Sequence, residues 1–299
     1  MGVRIKSTGI SRESDTFSIV DHSGRAARHS LERAGIRPDQ VGVLINAGVF
    51  RDSNTVEPAV SALIQKEAGI GLDYSYGDPR SFSFDLMNGA VGVLNAVQVA
   101  QSILAVGGVE HVLIVSGDTH PSLARSTADD EFPYATTGAA LLLERTEEPE
   151  GFERVHIVAG EGSPAIESYV DVDTMGTIGR TLMTTEREPD FEQRLLAAAT
   201  EAGLAALGEN DATGTVLIAS TPTPQFPRAL AERLGIAEIR TPDLSAGDPH
   251  TAALPLAYDL AVEQDSLREF ARVLFVAAGA GPSAAAVLYR LPASVGARA

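Results

Sequence analysis

Three short stretches of the chain hold groups that could do chemistry. "GDPHTAALP" (247–255) sets Asp248 and His250 two residues apart at the start of a predicted helix. The pair has two readings. Asp248 is a plain helix cap, or His250 is a general base and Asp248 the carboxylate that orients it. "LIASTPTP" (217–224) ends a strand on Ser220 and Thr221. Strand-end hydroxyls are commonly held by backbone. As a nucleophile Ser220 needs a base in hydrogen-bond reach, and His250 is the candidate. "FDLMNGAVGVLNAV" (84–97) reads as a strand, a turn of small residues and the start of an apolar helix. Asn88, Gly89, Ala90 and Gly92 leave backbone N–H groups bare at that helix start, which suits an anion or a reactive group. No reactive side chain stands there. His120, in "GDTHPS", follows a strand beside Pro121 and reads as structural.

The composition limits what these groups can serve. The chain has 299 residues, 44% hydrophobic and 5% aromatic, enough for one large or two medium domains. No apolar run is read as reaching the roughly 18 residues of a membrane span. The start, "MGVRIKSTGIS", has no apolar leader, so the cytoplasm is expected. Cysteine is absent, which removes disulfides and thiolate metal sites. The six histidines have no HxxH-type spacing, which argues against any metal. A net charge of -17 makes nucleic acid and anionic membrane poor partners, and an anionic ligand would need a local basic patch.

The elements that must position these groups alternate between strand and helix, the order of an α/β protein. "VGVLINAG" (41–48) is a continuous apolar run, the mark of a strand buried on both faces. A helix (57–70), a strand (82–87), a helix (89–107) and strands at 111–118 and 139–145 follow. The second half repeats this order. "TVLIAST" (215–221) leads into "PRALAERLGI" (227–236), "GDPHTAALPLAYDLA" (247–261) opens a helix, and "RVLFVAAGAGPSAAAVLYR" (272–290) closes as a strand pair. Such self-similarity indicates an internal duplication. The halves are expected at 1–150 and 151–299, divided at the charged link "ERTEEPEGFERV" (144–155). The helices starting near Ala90 and His250 would then be equivalent, with their N-termini facing one site. Residues 163–192 have no counterpart in the first half and read as an insertion covering a pocket.

"SFDLMNGAVGVLNAVQVAQSIL", "VLIVSGDTHP", "YATTGAALLLE", "RALAERLGI" and "LFVAAGAGPSAAAVL" together resemble the thiolase superfamily, and most of all ketoacyl synthase III. The resemblance covers nearly the whole chain, with a shortened N-terminal region. It implies two duplicated βαβαβαββ halves packed as five α-β-α-β-α layers. It also implies acyl transfer from acyl-CoA or acyl carrier protein, with no cofactor. The family's cysteine sits at a helix N-terminus and takes the acyl group, while a histidine and an asparagine from the second half assist. Here Ala90 occupies the cysteine position, Ser220 the histidine position and Asp248 the asparagine position. His250 remains as the best candidate base. Asn88, Gly89 and Thr221, with the backbone of Gly279 and Gly281 in "GAGPS", are expected to bind substrate or oxyanion.

Three functions are compatible with this pattern. One is acyl-thioester chemistry without a cysteine, by direct transfer to a bound acceptor in a fatty-acid-like or secondary-metabolite setting. The second is a silent subunit that pairs with a cysteine-bearing thiolase-fold paralogue, the alternative to a homodimer. The third is a module that binds an acyl or aromatic ligand. An acidic carrier protein would need an exposed cluster such as Arg228, Arg233 and Arg240.

Overall fold

A computed structural model of the chain describes residues 2–52, 58–71, 81–120, 134–169, 184–209, 212–279 and 281–292. The first sheet is built from β1 (Gly2–Ser11), β2 (Val41–Asn46), β3 (Phe82–Asp85), β4 (His111–Asp118) and β5 (Thr137–Thr146), in the order β1-β5-β4-β2-β3. The second is built from β6 (Gly151–Phe152), β7 (His156–Ala159), β10 (Thr215–Ala219), β11 (Glu238–Arg240), β12 (Arg272–Gly279) and β13 (Ser283–Arg290). Its order is β11-β10-β12-β13-β6, and β7 also pairs with β13. Taking β7 as the counterpart of β1, the two orders are the same. The intervening β8 (Ile166–Tyr169) and β9 (Thr184–Arg187) form a separate antiparallel ribbon.

The central strands are apolar without alternation because each side chain has a core to enter. In β2, Val43 and Ile45 face the middle of the molecule, while Leu44 packs under α1 (Ile19–Ala34) and α2 (Val60–Glu67). In β12, Val273, Phe275 and Ala277 face the middle, and Leu274, Val276 and Ala278 pack against α4 (Phe191–Leu207) and α5 (Phe226–Leu234). Between the sheets lie α3 (Gly92–Val106) and α6 (Ala253–Glu263), which share the central core through Val93, Leu94, Val97, Leu254, Ala257 and Ala261. The layers are therefore helix, sheet, helix, sheet, helix, the five-layered thiolase-like arrangement. Close packing of α1 on the first sheet requires Gly9, since a Cβ there would collide with the Ala26 carbonyl oxygen.

Two sequence readings are corrected. Residues 89–106 do form an 18-residue stretch of mean hydropathy 1.6, apolar enough on length and composition to cross a membrane. The physical reason is its position, because a helix covered by a sheet on both sides needs no wide polar face. The helix also begins at Gly92 rather than at 89. Gly89, at φ 51°, and the Val91 N–H donating to the Asn88 carbonyl at 3.1 Å keep the preceding residues in a turn.

Candidate functional site

Two helix starts and two strand ends meet in one cleft, of about 440 Å³ and open to solvent. Its wall includes Ala90 from the start of α3, Ser220 and Thr221 after β10, Asp248 and His250 before α6, and Gly279 at the end of β12. The structure thus brings together six of the residues singled out in the sequence. The end of β12 lies directly on the α3 turn, where a Cβ on Gly279 would stand 3.1 Å from Val91 Cγ2 and 3.8 Å from the Asn88 carbonyl oxygen. Ala90 is 6% exposed and offers only a methyl group.

Three expected residues are not on this wall. Asn88 is exposed, and its Nδ2 donates to Asn95 Oδ1 at 2.8 Å, so the side chain is taken up by the first turn of α3. Gly89 forms the turn, and Gly281 is exposed in the connection between β12 and β13.

Of the two readings of Asp248, the structure excludes the orienting carboxylate and fits a local cap. Asp248 does not orient the His250 ring. Its Oδ1 accepts the His250 backbone N–H at 2.9 Å and the Thr221 hydroxyl at 2.9 Å. The carboxylate that orients the ring is Asp118, at the end of β4. The His250 Nδ1 and Asp118 Oδ2 are 3.0 Å apart. Asp118 is fully buried and also accepts the backbone N–H groups of Val49 (3.0 Å) and Phe50 (2.8 Å) through Oδ1. Its Oδ2 takes the Thr251 N–H (3.2 Å) and hydroxyl (2.6 Å). With Nδ1–H donating to Asp118, the ring is left with Nε2 as its basic nitrogen.

The ring is fixed in other ways too. Tyr134 stacks on it with centroids 4.1 Å apart and planes 19° apart, and Phe50 lies 5.7 Å away. The Tyr134 segment is tied in by the Ala135 N–H, which donates to the Asp248 carbonyl at 2.8 Å. His250 itself has φ 47°, in the left-handed region. A side chain held there costs on the order of 1–3 kcal/mol, which the surrounding contacts must offset.

Electrostatics follow from this packing. Burial would raise the Asp118 carboxyl, but the charge and hydrogen bond of His250, with the backbone donors, hold it below the ordinary range. Burial would lower the His250 ring, yet the Asp118 carboxylate outweighs it and raises the ring above its usual value. Burial raises Asp248, and the nearby histidine charge and donors offset only part of that. Burial also raises the Tyr134 phenol, helped by the charges of Asp248 and Asp118.

Ser220 is buried, and its hydroxyl accepts the Ala278 N–H at 2.9 Å. It is thus engaged by backbone at the strand end. Neither Asp118 nor Tyr134 was singled out in the sequence as a site residue. The available signal was a charged residue ending the wholly apolar run "HVLIVSGD". Among the described residues no group of three or more His, Cys, Asp or Glu is arranged to hold a metal ion.

No protein-family model matches the chain. It is 26% identical over 296 residues to β-ketoacyl-[acyl-carrier-protein] synthase III of Brucella canis, covering 96% of this chain and 88% of that protein. The enzyme of the same name from Sphingopyxis alaskensis is 27% identical over 274 residues, covering 89% and 82%. Among solved structures, the priming β-ketosynthase of the R1128 polyketide biosynthetic pathway superposes with a TM-score of 0.79 at 18% identity, covering 97% and 96%. The 3-oxoacyl-(acyl carrier protein) synthase III of Pseudomonas aeruginosa gives 0.79 at 14% identity, covering 98% and 99%. The chain has the thiolase fold. Over most of its length it is similar to ketoacyl synthase III, and it has no cysteine anywhere in its sequence.

Proposed function

We propose that the protein transfers an acyl group from a thioester directly to a bound acceptor, with His250 as general base and Asp118 as the carboxylate that orients it. The observation that carries this reading is the pair itself. A buried carboxylate fixes Nδ1 of a ring that borders the cleft beside the α3 start, where the resemblance places acyl chemistry. Asp118, Thr251, Tyr134 and Phe50 hold the ring in one orientation, the geometry a base needs to meet an acceptor proton. Among the described cleft residues, Ala90 has only a methyl group, Ser220 is held by backbone and the Thr221 hydroxyl is donated to Asp248, which supports direct attack by the acceptor on the thioester.

The names of the relatives print an acyl carrier protein, which supports an acyl group delivered by such a carrier, and coenzyme A is the alternative carrier in this reading. Arg228 and Arg240 are already paired with Glu232 and Glu238, which leaves that cluster less basic than its sequence suggests. We take 1–150 and 151–299 as two lobes; of the expected covering segment 163–192, residues 170–183 lie outside the described residues. Ile166 and Arg187, from β8 and β9 at the two ends of that segment, border the cleft. A cytoplasmic, dimeric protein in a fatty-acid-like or secondary-metabolite pathway fits the same reading.

A second reading is a silent subunit. What favours it is Ala90 in place of a nucleophile, together with the outer edge of β3, which has β2 as its partner among the described residues and exposes Phe82. Such an edge can accept a second thiolase-fold chain. The pure protein, given acyl-CoA and a panel of alcohol, amine and thiol acceptors, is expected to release free coenzyme A only when an acceptor fits. Release that appears only after a cysteine-bearing paralogue is added would favour the second reading.

A further inference from the structure

The resemblance puts a carboxamide where this chain has Asp248, and a carboxyl differs from it in what it offers. An ionised carboxylate only accepts hydrogen bonds, whereas a neutral acid also donates one. Both bonds to Asp248 fall on Oδ1, from the Thr221 hydroxyl and the His250 N–H. Among the described residues no donor reaches Oδ2, although the side chain borders the cleft.

The nearest cation, the His250 ring, favours an anion, but it offsets only part of the effect of burial. The His250 ring has its Nδ1 committed to Asp118. Asp118 is itself a second carboxylate nearby, and Tyr134 is neutral. The guanidinium of Arg187 on β9 lies over the Phe191 ring, 5.8 Å from its centroid. A negative Asp248 would add a second carboxylate near Asp118 with both of its protein donors on one oxygen, which is costly. Burial raises its carboxyl in keeping with this.

We propose that Asp248 works as a neutral acid whose Oδ2–H donates to the carbonyl oxygen of the bound thioester. The proposal rests on the transfer reading above. The acceptor oxygen or nitrogen forms a bond to the carbonyl carbon while His250 Nε2 takes its proton. The carbonyl π pair moves onto oxygen and is held by the Asp248 hydroxyl. Collapse restores the carbonyl and breaks the C–S bond. The leaving thiolate takes the proton from His250, and Asp248 keeps its own throughout.

The test uses the full chain and two readouts. Asp248→Asn keeps Oδ1 as an acceptor and offers an N–H where the acid offers an O–H. It is expected to retain kcat within about threefold and to lose the alkaline fall of the wild-type pH profile. Asp248→Ala is expected to lose about 100-fold or more in kcat, with a smaller change in KM. Infrared difference spectra of wild type against Asp248→Asn, without substrate, are expected to show a protonated carboxyl band in the wild type alone. An absent band, or an Asn variant as inactive as the Ala variant, overturns the proposal. The band needs no turnover, so an inactive wild type that still shows it contradicts the transfer reading and supports the neutral acid.

Discussion

The starts of α3 and α6 face the same cleft from opposite halves of a duplicated chain, but they have been furnished in opposite ways. At α3 a Gly-bearing turn presents Ala90, a methyl group that can do nothing but pack. At α6 the equivalent turn carries Asp248, His250 and Thr251, tied to Asp118 on β4 and to Thr221 after β10. The strained φ of His250 and its three-ring stack belong to this second start alone. Two positions made equivalent by the fold therefore need not share chemistry. The fold supplies a cleft and backbone, and the side chains decide which wall acts.

The contrast can be broken most severely at Asp118. Asp118→Ala strands five donors and the His250 charge in the interior. It is expected to cost about 3–5 kcal/mol, read as a large drop in thermal midpoint. Retained stability would mean that the α6 wall is not held through Asp118. His250→Gln comes next. Loss of the base should reduce transfer by about 10²–10⁴-fold while the chain stays folded, measured as kcat beside the circular dichroism melt.

The pH dependence of stability sharpens the same point. Folded His250 and Asp248 both hold their protons more tightly than the unfolded chain does. Their contribution is full below their unfolded values and is lost as pH rises through the folded ones. Asp118 has the opposite sign, since its lowered carboxyl contributes above its unfolded value and loses that on acidification through the folded one. Thermal midpoints should therefore fall on both sides, and His250→Gln should flatten the alkaline side. An unchanged alkaline limb would contradict the His250 assignment.

At the other wall the expected effects are smaller. Ala90→Cys should yield a thiol that acyl-CoA or a small alkylating reagent labels, with little change in stability. A cysteine that neither reagent reaches would show that the α3 start is closed to the cleft. Asn88→Ala loses one exposed bond to Asn95 and should cost about 1 kcal/mol or less, with transfer unchanged.

The sequence exposed the layers more clearly than the site. Runs such as 41–48 and 272–279 have no polar alternation, because each faces a core on both sides, and that is visible without coordinates. The first 34 residues were read as no element. β1 carries Arg4, Lys6, Ser7 and Thr8 among its apolar residues, and α1 buries small and polar residues such as His22, Ser23 and Ser30. At the site, the spacing of Asp248 and His250 leaves open a cap or an orienting carboxylate, and only the cap agrees with the structure. The Asx-type bond of Asp248 to the His250 N–H uses up that proximity. The true partner lies 132 residues away, and only the crossing of β4 beneath the α6 start brings it there.

Single-turnover mass spectrometry with acyl-CoA and an accepted acceptor tests the role of His250 most directly. Wild type should release coenzyme A and form the acylated acceptor with no mass added to the protein, and His250→Gln should do neither. A covalent acyl adduct on the wild-type chain, or unchanged release by His250→Gln, would contradict it.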